Sequence, residues 1–489
     1  MCFGSNSDPH GPCLVSPHPR VLAGTSGGER DALRKQIPGR LPPGGPTGTL
    51  HGLNDGTIFP ESHYRRVPVP SSARMSRAAL ERTPLRGPIR VVIVLVDFSD
   101  KPMTTSRQHF EDLFFSKGKI PTGSVTEYYE DVSGGKVSFT GEAIGPFRMP
   151  LTLAQYAHNA SGMVEEAPNL QDLAAHALAA VDGSIDLTPY DNDHNGEVDA
   201  FIVVHAGKGA EELPAGPERD GNIWSAKWVL RNETRADGTN VFGFLTVPEF
   251  AYIGVCAHEL GHLVFGWPDL YDIDGDGDPE NVGVHSAGVG DWCLMGGGSW
   301  GHLPGNEPGT TPCQPSAWCK ANQGWINLVV DQQNRTISLK DVKKEPREVH
   351  RLWTNGDTIS QEYFLIENRQ KTGFDRSLPG QGLLVWHIDD QKENNRDERH
   401  YKVGLVQSDN RRQLEAAEGG PTGNRGDAGD PYPGTAHNTS FGAFTSPNSR
   451  TYGGRDSKVS IKNISAPSQT MTMDVAVRST FPVAVGSKL

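Results

Sequence analysis

The sequence predicts an α/β domain followed by an all-β, sandwich-like domain at the C-terminus. Between residues 88 and 330, β-branched apolar runs alternate with helical stretches carrying one apolar face, the signature of a sheet covered by helices. From residue 331 the helical period disappears and short strands follow one another between turn residues. Residues 1–87 carry neither period. They are rich in Gly, Pro, Arg and Ser and read as a loosely ordered leader or pro-segment ending in a linker.

In the α/β region, Arg90 to Phe98 is a β-branched run and so a central strand. Gln108 to Phe115 and Val125 to Val132 are helical, and Gly135 to Glu142 alternates like a strand. Asn169 to Val181 is an Ala/Leu-rich helix with a core face, and Ala200 to His205 is a second buried strand. Asn222 to Val229 and Val241 to Val247 complete the strands. In the C-terminal region the strands are Thr336–Leu339, Glu362–Glu367, Gly382–Ile388 and Met471–Val477, with a Gly/Asp/Pro-rich loop from Gly419 to Gly434.

The whole chain, 489 residues with a formal charge of -13, argues against a nucleic-acid partner. The longest apolar run, Val91 to Val96, is far too short to span a bilayer. No basic n-region followed by an apolar h-region stands at the start, so no standard secretory signal is expected. The six cysteines, Cys2, Cys13, Cys256, Cys293, Cys313 and Cys319, lack paired CxxC spacing. Cys313 and Cys319 are close enough in sequence either to bridge or to remain ordinary thiols.

The chemistry concentrates in Cys256-Ala-His258-Glu259-Leu-Gly-His262-Leu-Val-Phe-Gly266-Trp-Pro-Asp269. Histidines four apart share one helix face, so both imidazoles reach one Zn2+ ion. Glu259, beside the first ligand, is placed to take a proton from the zinc-activated water and pass it to the leaving amine. Gly266 can end the helix in a left-handed turn, delivering Asp269 as an oxygen ligand. Downstream, Met295 lies in a Gly-rich turn, Asp291-Trp-Cys-Leu-Met295-Gly-Gly-Gly-Ser-Trp300, and such a methionine turn marks metzincin peptidases.

With these motifs the sequence resembles the immune inhibitor A family of secreted metallopeptidases. The resemblance extends through Ile223–Trp228, Ile253–His262, Pro268–Asp272, Pro315–Lys320, Glu362–Arg369, Leu383–Asp389 and Asp427–Pro433. It implies a metzincin-like catalytic domain, an N-terminal pro-segment, C-terminal β modules, a secreted location, and protein or peptide substrates hydrolysed at internal bonds. The chain is expected to act as a monomer. It departs from the metzincin pattern at Phe265, which stands in the glycine position, and at Gly266 and Asp269, each displaced by one, with an acid replacing the third histidine. Asp269 is the expected third ligand, and Asp272, Glu280 and His285 are its competitors.

Two loops have oxygen side chains at alternate positions before a glycine, the spacing that suits Ca2+. The first carries Asp191, Asp193, Asn195 and Asp199; the second carries Asp272, Asp274 and Asp276. Neither has the closing glutamate of an EF-hand loop, and a solvated turn is the alternative. In the leader, Cys13 is a potential zinc-blocking thiolate, against an inert cysteine or an α-amino block. His205 and His387 read as core or strand histidines, and Trp292 and Trp300 as packing residues. Thr246 and Val247, on the strand before the active helix, are expected to pair with extended substrate. The rival function is a calcium-binding adhesion protein with a silent site, and a third is hydrolysis of non-peptide amides.

Overall fold

The structure is a computed structural model that describes residues 13–23, 84–164, 166–272, 286–392, 394–418 and 421–478. The α/β region is built on a six-stranded sheet. Its strands are β1 (Cys13–Leu14), β2 (Gly87–Asp97), β3 (Val137–Arg148), β4 (Phe201–His205), β5 (Ala226–Ala236) and β6 (Thr239–Pro248), in the spatial order β1-β5-β6-β4-β2-β3. Strands β3, β2, β4 and β6 are mutually parallel, while β5 and β1 are added antiparallel at one side. The continuous apolar run Val91–Val96 lies inside β2, between β3 and β4, and is fully buried. That burial on both faces is why it reads as an unbroken run rather than an alternation.

The helices of six or more residues are α1 (Arg107–Phe115), α2 (Val125–Ser133), α3 (Leu170–Val181), α4 (Ile253–Phe265) and α5 (Ala317–Asn322). Local chemistry sets their starts. Ser106, Ser124 and Asn169 each accept a hydrogen bond from a first-turn amide, and Glu127 and Asp172 close capping boxes on the last two. Tyr129, on α2, donates to the Ala257 carbonyl at 2.6 Å and so fixes α4 against it.

The β region has a five-stranded sheet and a three-stranded sheet. The first is built from β7 (Asn327–Val330), β9 (Glu348–Leu352), β10 (Glu362–Arg369), β11 (Gly382–Asp389) and β12 (Val403–Leu405). The second is built from β8 (Arg335–Lys340), β13 (Ser460–Lys462) and β14 (Thr470–Ala476). A buried charge cluster couples this region to α5: Lys320 Nζ lies 2.7 Å from Glu367 Oε2, and Arg369 pairs with Asp375 and Glu367. Removing one member would leave a buried charge uncompensated, so the cluster fixes how the two regions meet.

Two expectations change at this level. Residues 13–23, expected within a loosely ordered leader, enter the fold. Cys13 and Leu14 form the edge strand β1 on β5, and Val15 and Ser16 are also buried. Apolar Cys-Leu-Val next to an otherwise unpaired strand edge is the physical reason. Thr246 and Val247 are not available to substrate: Thr246 pairs with Val203 on one side and Ala226 on the other, inside the sheet.

Candidate metal centre

Helix α4 is buried over its whole length, and every functional side chain of its motif is inaccessible to solvent. Gly266 ends it at φ 68°, where a side chain would be strained, and the Gly266 and Trp267 amides bond to the His262 and Gly261 carbonyls. The chain then doubles back, so that Asp269 meets the histidines. His258 Nε2 and His262 Nε2 lie 3.0 Å apart, and Asp269 Oδ1 lies 3.2 Å from each. Four ligands at the usual zinc–nitrogen length of about 2.0–2.1 Å make a tetrahedron with edges of roughly 3.3–3.4 Å. The observed triangle is that face, slightly contracted, so the donor set fits a tetrahedral metal.

The outer nitrogens are occupied as a metal site requires. His258 Nδ1 lies 2.9 Å from the Leu294 carbonyl and His262 Nδ1 lies 2.6 Å from the Trp267 carbonyl. Each Nδ1–H donates to a carbonyl, which turns the Nε2 lone pair inward. Met295 follows Leu294, is fully buried, and its carbonyl accepts the Leu270 amide at 2.8 Å. Its Sδ sits so close to Gly261 that a Cβ there would approach it to 2.7 Å. Glycine between the two histidines therefore lets Met295 pack directly against α4.

Burial dominates the electrostatics. It lowers the His262 pKa to about 4, which keeps the imidazole neutral and able to ligate. Burial alone would raise Asp269, but His262 and His258 together hold its carboxyl below the ordinary range. Burial, with Asp269 and Glu211 adding like charge, pushes Glu259 well above its usual value, and the Lys227 and Val15 peptide groups partly offset this. Neither oxygen of Glu259 has a hydrogen-bond partner of normal geometry among the described residues. A fully buried carboxylate left without such a partner carries a desolvation cost.

The N-terminal segment meets these side chains. Cys13 is disulfide-bonded, and its sulfur lies within 4.8 Å of ligand atoms on His262 and Asp269. Three donors hold the segment that follows. Tyr271 Oη donates to the Leu14 carbonyl, Trp224 Nε1 to the Val15 carbonyl at 2.9 Å, and Trp300 Nε1 to the Ser16 carbonyl at 2.9 Å. Trp300 thus anchors the leader in addition to packing. Trp292 donates to Asp430 Oδ2 at 2.9 Å, and His205 is a core histidine, both as expected. The roles of Tyr271 and Trp224 were missed by sequence reasoning. Their only signal was membership of the motifs Pro268–Asp272 and Ile223–Trp228.

At the first cation loop, oxygen atoms of Asp191, Asp193 and Asp199 come within 4.8 Å of one another. Asn195 spends its Oδ1 on the Glu197 amide at 2.8 Å, and Asp191 accepts the Asn195 and Gly196 amides. Asp272 is buried beside Ser286, whose carbonyl accepts its amide. Asp274, Asp276, Glu280 and His285 lie outside the described residues. Cys313 and Cys319 do not bridge. Both are free, as are Cys256 and Cys293; Cys313 Sγ instead donates to the Gln314 carbonyl, and Cys319 accepts from Ser316.

Two helix-borne histidines, a carboxylate delivered by a tight turn and a buried glutamate beside them are the residue types of an HExxH metallopeptidase motif. Residues 89–326 match the family described as immune inhibitor A peptidase M6, catalytic domain. The chain is 30% identical over 314 residues to the "Pre-pro-metalloprotease PrtV" of Vibrio cholerae serotype O1, an alignment covering 53% of this chain and 32% of that protein. It is 29% identical over 303 residues to "Immune inhibitor A" of Bacillus thuringiensis subsp. alesti, covering 51% of this chain and 43% of that protein. The chain therefore spans less than half the length of these curated relatives.

Proposed function

We propose that this chain is a zinc-dependent endopeptidase that acts outside the cell as a monomer on internal bonds of proteins, and that its leader keeps it latent. The observation that carries the reading is the triangle of His258 Nε2, His262 Nε2 and Asp269 Oδ1, with edges of 3.0, 3.2 and 3.2 Å, beside an unpartnered buried Glu259. A metzincin-like reading of the α/β domain and a sandwich reading of the β domain accompany it.

Zinc, when bound, supplies Lewis-acid activation of water and of the scissile carbonyl. The rest is this chain's work. His258, His262 and Asp269 hold the ion, and the Leu294 and Trp267 carbonyls orient the imidazoles. Glu259 takes a proton from the attacking water and returns it to the amide nitrogen as the C–N bond breaks. The surrounding apolar residues exclude bulk water and so strengthen each of these interactions.

The test uses full-length protein nicked by trypsin within residues 24–83, which contain eight Arg and one Lys. Metal analysis should return one zinc per chain at the histidine site, and casein hydrolysis should stop on adding a zinc chelator. Glu259→Gln should retain zinc and lose at least ~10²-fold in turnover. Near wild-type turnover by that variant would sink the mechanism.

A further inference from the structure

Beside the site, the N-terminal segment lies on a sheet edge as an extended strand. Cys13 and Leu14 pair antiparallel with Lys227 and Ala226, along the outer edge of β5. This is addition of an extended strand to a free sheet edge, the mode in which backbone hydrogen bonds supply affinity. It brings the Leu14–Val15 peptide bond to the metal centre. The carbonyl oxygen of Leu14 accepts the hydroxyl of Tyr271, and the Val15 amide donates to the Ser225 carbonyl at 3.4 Å. Tyr271 follows the ligand Asp269 by two residues and is itself buried. One peptide bond, next to the Cys13 sulfur that meets His262 and Asp269, thus has a hydroxyl donor on its oxygen.

We infer that Tyr271 is a catalytic residue whose hydroxyl donates to the carbonyl oxygen of the scissile bond and stabilises the oxyanion formed there. The inference rests on the peptidase reading. Water adds to the carbonyl carbon, and the π pair moves to the oxygen that Tyr271 contacts while the phenol keeps its proton. The C–N bond then breaks, and the nitrogen takes the proton carried by Glu259. A donor already fixed where negative charge develops costs no reorganisation at that moment. In the uncut chain the same hydroxyl is occupied by Leu14, so leader and substrate compete for one donor.

The test compares wild type and Tyr271→Phe, both zinc-loaded and nicked as above, on an internally quenched peptide. Loss of an oxyanion donor should lower kcat by about 10²-fold and leave KM within about twofold. Zinc content and melting temperature should stay unchanged. A phosphinic peptide, which presents a tetrahedral anionic centre, should bind the variant more weakly by the same factor as kcat/KM falls. Unchanged kcat in the variant overturns the inference. If wild type hydrolyses nothing, the peptidase reading fails by itself. The phosphinic peptide still decides the role of Tyr271, because equal binding to both proteins overturns it.

Discussion

Asp269 Oδ1 stands 3.2 Å from His262 Nε2, with both side chains fully buried. A carboxylate is placed there at considerable desolvation cost, which a cation between the two groups offsets. Asp269→Ala should therefore weaken zinc binding by more than the ~10–100-fold expected when a merely supporting group is lost. Asp272→Asn should change it little. Competition against a chromophoric chelator measures both. Wild-type affinity in Asp269→Ala, or a larger loss in Asp272→Asn, would reassign the third ligand.

The triangle of His258, His262 and Asp269 was legible because its determinants are local. His258 and His262 share a face through helical periodicity alone, and Gly266 carries the chain to Asp269 within one turn. The strands and helices of the α/β region follow their apolar periods closely, for example Leu170–Val181 with its cap at Asn169. What escaped was non-local. Nothing in residues 13–16 states that they will pair with residues 226 and 227, more than two hundred positions away. The strand containing Thr246 was recognised, but its neighbours on both sides were not, so its interior position was invisible. The pairing of β5 with β1 also explains Tyr271, whose partner is a leader carbonyl.

The first cation loop gives a stability prediction. Asp191 and Asp199 are buried and Asp193 shares their locus, so three carboxylates repel unless a cation joins them. Adding calcium to stripped, zinc-loaded protein should raise the melting temperature. A free concentration one hundred times Kd corresponds to about 2.7 kcal/mol. Asp199→Asn should reduce the gain. A melting curve that does not move across the titration would refute calcium binding.

His205 gives a pH prediction away from the metal. It is fully buried at the end of β4, where burial lowers its pKa from 6.5 to about 4. Between those values the unfolded chain carries the extra proton, so stability rises with pH. The contribution is fully present above pH 6.5 and is lost progressively as pH falls toward 4. A shift of this size corresponds to a loss on the order of 3 kcal/mol. Urea unfolding of wild type and His205→Gln from pH 4 to 7 isolates it: the variant should show a shallower dependence by about one proton. Parallel curves would show that His205 does not titrate in this way.

Latency is the remaining prediction. The leader is held by pairing with β5, by three aromatic donors on the carbonyls of residues 14, 15 and 16, and by the Arg425 guanidinium on Ser16 Oγ at 3.2 Å. A substrate entering the same edge must displace all of these contacts. Cleavage between about residues 40 and 83, ahead of β2, frees the leader to dissociate, because its contacts then compete at solution rather than intramolecular concentration. Activity should rise by at least about tenfold, since effective concentrations for tethered segments reach the millimolar range. Cys13→Ser separates two ways of blocking the site. If the sulfur, released from its disulfide as a thiolate, closes the metal, the uncut variant should be active under reducing conditions in which uncut wild type is not. If strand pairing and bulk close the cleft, the uncut variant should stay latent and respond only to cleavage. Equal activity of full-length and leader-deleted protein, at identical zinc and calcium, would remove latency by the leader altogether.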